Sequence, residues 1–341
     1  MKAVHVAGMG GPEQLIYGDW PDPIIGAGDV LVQVEAASVN YVDVMVRQGV
    51  LGRLPLVPGM DAAGTVVQVG ADARGIDIGD RVLVNGAITC DACEYCLAGD
   101  NGTCRQRAAL GQKVDGTYAE YVKLPWRNVL RLSDSVTWEQ AAAAPTIFFT
   151  AWQALMSRAK LRPGETVLIM AAGSGVGSAA LQLAKLAGAR VIGGSTSDDK
   201  LARAKAWGAD AVINYATSDL VQSVLQLTDG LGAHVILDIV GGAFWSDYLR
   251  CVRPGGRIVA CSITSGRKAD CDILALLDRQ VTILGVGGYG AKGEITRVVA
   301  LLNAGKIAPN IYKTFPLAEA ANAQKALEDR GAIGKIILKP R

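Results

Sequence analysis

The stretch at residues 166–200, TVLIMAAGSGVGSAALQLAKLAGARVIGGSTSDDK, decides the fold of this chain. It opens with an apolar run at 166–170, whose length and composition are typical of a buried parallel strand. Small residues follow at 171–177, where the backbone has to turn sharply. Helical spacing then runs from Ser178 to a terminating Gly188, and a second apolar run occupies 190–192. The stretch therefore predicts a strand–turn–helix–strand unit.

The turn between the first strand and the helix is a candidate dinucleotide site, because free N–H groups and the helix dipole favour a pyrophosphate there. The literal G-x-G-x-x-G pattern fails, since Ser178 stands where a third glycine belongs after Gly173 and Gly175. If the pattern is shifted, Ala172, Ser174 and Gly177 take the three glycine positions. These small residues still allow a tight turn and close packing of the helix on the strand. An ordinary strand–helix corner is the alternative. The residues predicted to contact the cofactor are Ala172, Gly173, Ser174, Gly175, Val176 and Gly177.

The end of the second strand indicates which dinucleotide is bound. An NAD site usually places Asp or Glu there to bind the ribose 2′-hydroxyl. This chain has Ser195 and Thr196, with Lys200 one helical turn further on. Hydroxyls and a cation suit a 2′-phosphate, so the sequence favours NADPH over NADH.

Length and charge restrict the classes of protein to which this chain can belong. A chain of 341 residues can bury the cores of two domains. With 34 basic and 32 acidic residues spread along the chain, a nucleic acid or a membrane surface is not an expected partner. The N-terminal residues lack the long apolar core of a secretion signal, and the expected location is the cytoplasm. The seven cysteines then indicate metal or free thiols rather than disulfides.

The order of apolar segments predicts an α/β protein with two domains. Residues 1–125 have short apolar stretches separated by turns, which is typical of a β-rich domain. Residues 126–305 alternate strand and helix patterns, which predicts a doubly wound parallel sheet covered by helices on both faces. Residues 306–341 add one helix near 317–328 and a terminal strand at 334–338.

A cysteine lobe interrupts the β-rich domain at 90–104, with the composition of a loop. Its sequence CDACEYCLAGDNGTC has the spacing C-x2-C-x2-C-x7-C. Four thiolates can close a tetrahedral shell around zinc and leave no open position for substrate. The sequence predicts one structural zinc held by Cys90, Cys93, Cys96 and Cys104, with free thiols as the alternative.

With both signatures in view, nearly the whole chain resembles the medium-chain dehydrogenase/reductase superfamily. The stretches SVNYVDVMVRQG and PGMDAAGTVVQVG resemble its GroES-like catalytic domain, and the cysteine lobe resembles that of its alcohol dehydrogenases. The turn AAGSGVGSAALQLAK is similar to the quinone oxidoreductase branch. The resemblance implies a Rossmann domain and a C-terminal segment that returns to the first domain.

Zinc alcohol dehydrogenases of this superfamily hold a catalytic zinc with Cys, His-Glu and a second Cys or Asp. At the matching positions this chain has Asn40, Met60-Asp61 and Thr146. One carboxylate does not make up the three protein ligands that a catalytic zinc needs. We therefore expect a structural zinc and no catalytic metal.

The pattern resembles the NADPH-dependent quinone and enoyl reductases, and site residues follow from that resemblance. Asn40 and Asp43 match the active-site segment, and Thr150 matches the position beside the nicotinamide. The resemblance implies that Lys200, Tyr215 and Arg330 bind the 2′-phosphate. Asp43 can equally brace its loop, Lys200 can be a solvated surface lysine, and Tyr215 can be a strand-end anchor.

The sequence thus predicts an NADPH-dependent reductase that delivers hydride to an unsaturated carbonyl compound or a quinone. Water, Tyr41 or Tyr289 is the candidate proton donor. Alternatives are an acryloyl-CoA-type enoyl reductase, an alcohol dehydrogenase or carbonyl reductase, and an NADPH-binding protein with little turnover. The apolar segment 281–286 resembles the strand that pairs between subunits in this superfamily, so we expect a homodimer or homotetramer.

Overall fold

A computed structural model describes residues 1–287 and 291–341. The chain divides into two compact units, here called unit 1 (Met1–Thr146 with Ala291–Arg341) and unit 2 (Ile147–Gly290). The sequence predicted domain boundaries at 125/126 and 305/306, whereas the boundaries between the two units lie at 146/147 and 290/291. One helix, α3 (Trp138–Trp152), crosses the first of these changes.

Unit 1 is built on a seven-stranded sheet in the order β16-β17-β3-β4-β5-β9, with β8 also paired to β3. Its central strand β3 buries nearly every second side chain in the core, as alternation in a strand requires. The C-terminal strand β17 lies antiparallel beside β3. The strands are β1 Lys2–Val6, β2 Leu15–Asp19, β3 Asp29–Val39, β4 Asp61–Val69, β5 Arg81–Val84, β6 Ala87–Ile88, β7 Ala108–Ala109, β8 Tyr121–Pro125, β9 Val129–Arg131, β16 Ile311–Pro316 and β17 Lys335–Lys339.

The helices of unit 1 are short apart from α3 and α9. A four-residue helix lies inside the cysteine lobe, where the sequence predicted only a loop. The predicted C-terminal helix is a 3-10 turn at Leu317–Glu319 continued by an α-helix. In chain order the helices are α1 Tyr41–Arg47, α2 Glu94–Leu97, α3, α9 Lys292–Asn303 and α10 Ala320–Glu328.

Unit 2 is a Rossmann-like domain, as the sequence predicted. Its six strands are all parallel, and they lie in the order β12-β11-β10-β13-β14-β15. That order reverses between β10 and β13, which makes the carboxyl ends of these strands the expected cofactor edge. The strands are β10 Thr166–Ile169, β11 Arg190–Ser195, β12 Ala211–Asn214, β13 Ala233–Asp238, β14 Val252–Ala260 and β15 Thr282–Gly285.

Helices cover the sheet of unit 2. α4 packs on β10 and β11, and α5 packs on β11 and β12. Buried side chains of α6 and α7 join those of five strands in one apolar cluster. The helices are α4 Gly175–Leu186, α5 Asp198–Ala206, α6 Leu220–Leu227, α7 Trp245–Cys251 and α8 Ile273–Arg279, and a π-helical segment, Gln153–Arg158, continues α3.

In the described part of the chain, no helix has both the length and the apolar character that crossing a bilayer requires.

Candidate active site and metal centre

The buried carboxylate of Asp61 organises a polar centre in unit 1. Thr146 donates to it from its hydroxyl, over 2.8 Å, and Asn40 donates from Nδ2, also over 2.8 Å. Ser38 adds a longer bond of 3.3 Å. Asn40, Asp61 and Thr146 are the positions that the resemblance matched to a catalytic zinc, and the structure brings them into direct contact.

A lysine completes this centre. Lys335 donates from Nζ to Asn40 Oδ1 over 2.7 Å and to the backbone oxygen of Val39 over 2.8 Å, and Nζ lies 3.9 Å from Asp61 Oδ2. The strand register explains its position, because β17 pairs Ile336 with Val39 and so sets Lys335 against the end of β3.

The sequence analysis missed Lys335. Two lysines, Lys335 and Lys339, flank the apolar run IIL of the terminal strand, and a lysine is rarely buried without a partner, but the sequence does not show which of the two is buried. Pairing between segments almost 300 residues apart is not readable from this pattern alone.

Burial and charge act against each other in the centre. Burial raises the pKa of the Asp61 carboxyl, and the Lys335 ammonium partly opposes that rise. Burial likewise lowers the pKa of the Lys335 ammonium, against the attraction of Asp61 and Asp43.

This donor set does not fit a catalytic zinc. Around Asp61 stand an amide, two hydroxyls and an ammonium group, none of which is a ligand that zinc prefers. The positive charge of Lys335 also lies where a metal cation would be repelled.

Asp43 braces the start of α1. Its Oδ2 accepts the backbone N–H of Asn40 over 2.9 Å and the hydroxyl of Tyr118 over 3.0 Å. Burial raises the pKa of Asp43 to about 7, although both bonds lower it. These hydrogen bonds agree with the alternative that Asp43 braces its loop. That Asp43 also acts on the substrate stays a prediction.

The other residues predicted for catalysis or proton donation are Tyr41, Thr150 and Tyr289. Tyr41, the first residue of α1, is 39% exposed. Thr150 is buried in the part of α3 that belongs to unit 2. Tyr289 lies outside the described residues. Their catalytic roles remain predictions.

The glycine-rich turn leads directly into the N-terminus of α4. Ser174 caps α4, and its hydroxyl accepts the N–H of Gly177 over 3.1 Å. A Cβ at Gly177 would lie 2.3 Å from the carbonyl oxygen of Ala171, so helix and strand pack too closely for any other residue. This is the role that the shifted register assigned to Gly177.

Residues predicted to bind the adenosine end meet at the carboxyl ends of β10, β11 and β12. A Cβ at Gly173 would lie 2.7 Å from Cβ of Lys200, so the stem of Lys200 runs along the turn. Tyr215 donates its N–H to the backbone oxygen of Ser195, and its ring lies against Gly194. The side chain of Ser195 is buried whereas Thr196 is exposed, so Thr196 offers the accessible hydroxyl.

Arg330 belongs to unit 1, where it follows α10 in a left-handed conformation with φ of 57°. Its role at the 2′-phosphate stays a prediction.

The four cysteines of the lobe form a metal-binding cluster. All four sulfurs lie within 4.8 Å of one another, and Sγ of Cys90 lies 3.5 Å from Cys104 and 3.9 Å from Cys96. A tetrahedron with Zn–S bonds of about 2.3 Å separates its sulfurs by about 3.8 Å, so the cluster fits zinc. Among residues 1–287 and 291–341 it is the one group of three or more His, Cys, Asp or Glu placed to hold a metal.

Backbone N–H groups lower the pKa of the Cys93 and Cys104 thiols, whereas burial raises the pKa of the Cys96 thiol to about 12. The N–H of Cys90 donates to Sγ of Cys104, and the N–H of Cys93 donates to Sγ of Cys90. The N–H groups of Arg105 and Cys96 lower the pKa of the Cys93 thiol to about 6. Thiolates are the species that zinc binds.

Comparison with known proteins defines the class. Residues 26–134 match the alcohol dehydrogenase GroES-like domain, and residues 175–304 match the zinc-binding dehydrogenase family. The chain is similar to a crystal structure of an NAD-dependent alcohol dehydrogenase, with a TM-score of 0.95 and 39% identity over 100% of both chains. The protein belongs to the zinc-type alcohol dehydrogenase-like group of the medium-chain dehydrogenase/reductase superfamily.

Similar curated relatives carry three different activities in their names. An NAD-dependent alcohol dehydrogenase of Sulfurisphaera tokodaii is 32% identical over 100% of both chains. A quinone oxidoreductase of Pseudomonas aeruginosa is 32% identical over 99% of both. An acryloyl-coenzyme A reductase of Sulfurisphaera tokodaii is 27% identical over 100% of both. The chain is thus an oxidoreductase of this superfamily that uses a nicotinamide cofactor.

Proposed function

We propose that the protein is an NADPH-dependent reductase that transfers hydride to an electron-poor acceptor without a catalytic metal. The acceptor is the double bond of an α,β-unsaturated carbonyl compound, an enoyl thioester or a quinone. One observation carries the proposal: Asn40, Asp61 and Thr146, at the positions matched to the catalytic zinc, form a hydrogen-bonded polar centre that Lys335 completes.

The reduced nicotinamide supplies the hydride, and the protein has to stabilise the negative charge that collects on the acceptor oxygen. Without a metal, hydrogen-bond donors take that task. Asn40 is the candidate donor in unit 1, and Tyr41 or water is the candidate proton source. The relatives named quinone oxidoreductase and acryloyl-coenzyme A reductase support this class of acceptor.

An alcohol dehydrogenase that uses NAD is the second candidate, because similar proteins bear that name. Two measurements distinguish the reductase from the alcohol dehydrogenase. One is the rate of cofactor consumption with a panel of enones, enoyl thioesters, quinones and carbonyls, and the other is the rate of alcohol oxidation in the reverse direction. Turnover of enones, enoyl thioesters or quinones should exceed that of simple carbonyls and alcohols. Preferential alcohol oxidation would overturn the proposal, and no turnover with any substrate would favour a binding protein.

The preference for NADPH rests on the adenosine end of unit 2. The stem of Lys200 lies against the phosphate turn, and a charge-assisted contact to phosphate is worth roughly 1.5–3 kcal/mol. We expect kcat/KM to favour NADPH over NADH by at least about tenfold. Lys200→Ala should erode that preference mainly through KM for NADPH, and Ser195→Asp should weaken NADPH further.

Arg203→Ala, which removes an exposed cation from the same helix, is the matched control and should leave the ratio unchanged. Equal use of NADH and NADPH by the wild-type protein would contradict the assignment of the 2′-phosphate site.

A further inference from the structure

Lys335 is a buried charge with an unusual set of partners. Its side chain is 4% exposed, and it donates to a backbone oxygen and to the Asn40 amide rather than forming a close ion pair. Burying an ammonium group costs free energy unless its donors are satisfied. Such a group is therefore expected to have a role that an apolar side chain in β17 cannot fill.

The charges on either side of Asn40 fix the orientation of its amide. Lys335 is a pure donor, so the oxygen Oδ1 has to face it. The Asp61 carboxylate is a pure acceptor when ionised, so Nδ2 has to face it. If the amide were reversed, both hydrogen bonds would be lost. Nδ2 would then face the Lys335 ammonium group, and Oδ1 would face the Asp61 carboxylate.

This arrangement leaves one hydrogen of Asn40 for a ligand. Nδ2 carries two hydrogens, and one of them goes to Asp61. In the part of the chain that the structure describes, no acceptor is assigned to the second. The ammonium group on Oδ1 also polarises the amide and strengthens that remaining N–H as a donor.

We propose that Lys335 is the positioning residue of the reductase site, and that it acts by holding the Asn40 amide with Nδ2 towards the oxygen of the acceptor. The inference rests on the proposed function. When the acceptor carbon gains hydride from the cofactor, the electron pair of the double bond moves to the acceptor oxygen. Asn40 donates a hydrogen bond to that oxygen, and a solvent proton then completes the reduction. Lys335 keeps its own protons throughout.

The test compares Lys335→Met, Asn40→Ala and the double variant in reduction of the best acceptor from the panel. Loss of one oxyanion donor costs about 100- to 1000-fold in kcat, and we expect that for Asn40→Ala. Lys335→Met should lower kcat at least about tenfold with little change in KM for NADPH. The double variant should be no slower than Asn40→Ala, because both changes remove one function.

Lys339→Met is the matched control, since it removes a lysine that pairs with Glu139 at the end of the same strand. Lys335→Ala supplies a second readout. Propylammonium, which replaces the missing atoms, should restore activity, whereas 1-propanol at the same concentration should not. In the cofactor-free protein labelled with [15N]asparagine, hydrogen exchange of the Asn40 side-chain amide should be faster in Lys335→Met than in wild type.

Each outcome decides the inference. It is overturned if Lys335→Met keeps kcat within about twofold of the Lys339→Met control, if the losses multiply in the double variant, or if 1-propanol rescues as well as propylammonium. Where Lys335→Met does not fold, Lys335→Met/Asp61→Asn removes both charges together and carries the same comparison. A wild-type protein inert towards the whole panel would instead overturn the proposed function.

Discussion

Asp43 illustrates how one carboxyl group can hold a loop and make stability depend on pH. It is buried, it caps α1, and it accepts the Tyr118 hydroxyl. An ordinary Asp has a pKa of about 3.9, and burial raises the pKa of Asp43 to about 7. Between these values the folded protein keeps a proton that the unfolded chain releases.

The pH dependence of stability follows from this difference. Since the folded state binds more protons between about pH 4 and pH 7, the free energy of unfolding should fall as pH rises through that window. The contribution of Asp43 is at most about 4 kcal/mol. Asp43→Asn keeps an acceptor for both bonds and should remove this part of the slope.

Chemical denaturation at pH 5 and pH 8 measures the difference for the wild type, Asp43→Asn and a control at the exposed Asp72. The decrease between the two pH values should be smaller for Asp43→Asn than for the wild type and unchanged for Asp72→Asn. An Asp43→Asn protein with the full wild-type decrease would show that Asp43 is ionised throughout this range.

At the scale of elements, the cysteine lobe at 90–104 has little regular structure. It contains one short α-helix and a 3-10 turn at Asn101–Thr103, and its four thiols converge from 15 consecutive residues. Such a segment buries little apolar surface of its own, so we expect zinc binding to supply the free energy that orders it.

We predict about one zinc per chain in this lobe. Metal analysis of the purified protein should find it, and Cys93→Ser should lose the metal and lower the melting temperature. Cys271→Ser, which changes an exposed cysteine outside the cluster, should retain both. About two zinc ions per chain, with the second lost on changing Asp61, would contradict the metal-free polar centre.

Helices α1 and α10 are joined by an ion pair whose arginine is buried and whose glutamate is 26% exposed. Arg47 is 1% exposed, and its Nη2 lies 2.7 Å from Oε1 of Glu328. Its Nε also donates to the backbone oxygen of Gly10. The helix that follows Asn40 is therefore anchored to the C-terminal segment by a charge with little access to water.

Glu328→Ala should lower the free energy of unfolding by about 3 kcal/mol, because it leaves the Arg47 guanidinium buried without its partner. Asp329→Ala breaks the exposed pair with Lys325 and should cost less than about 1 kcal/mol. Denaturant titration of both variants measures the difference. Equal losses would mean that water reaches Arg47 freely.

At the scale of the whole molecule, the sheet of unit 2 ends in an edge strand, β15. Ile283 on this strand and Ile273, Leu274 and Leu277 on the neighbouring α8 are exposed. An unpaired apolar edge is a hazard for aggregation, and pairing with a second copy covers it. We propose that the protein is a homodimer or homotetramer through this edge.

Light scattering should give a mass of at least about 71 kDa, twice the 35.6 kDa of one chain. Ile283→Lys should shift the mass towards the monomer, because it places charges in the paired edge. Ile24→Lys, at an exposed position in unit 1, is the control. A monomer at micromolar concentration would rule the interface out.

The sequence by itself determined what depends on neighbouring residues. The strand–turn–helix pattern at 166–200 predicted the Rossmann-like unit, and the cysteine spacing predicted the cluster that the structure assembles. Both are local, since their period and spacing are set within about 35 residues. The resemblance placed Asn40, Asp61 and Thr146 at one centre because each lies in a sequence motif that can be aligned with the family.

Only the tertiary structure decided what those residues do together. The pairing of β17 with β3 brings Lys335 to Asn40, and nothing near either residue in the sequence specifies that register. The same folding buries Asp43 and raises its pKa. Charge, burial and hydrogen-bond partners are properties of distances in space, and segments far apart in the chain supply them.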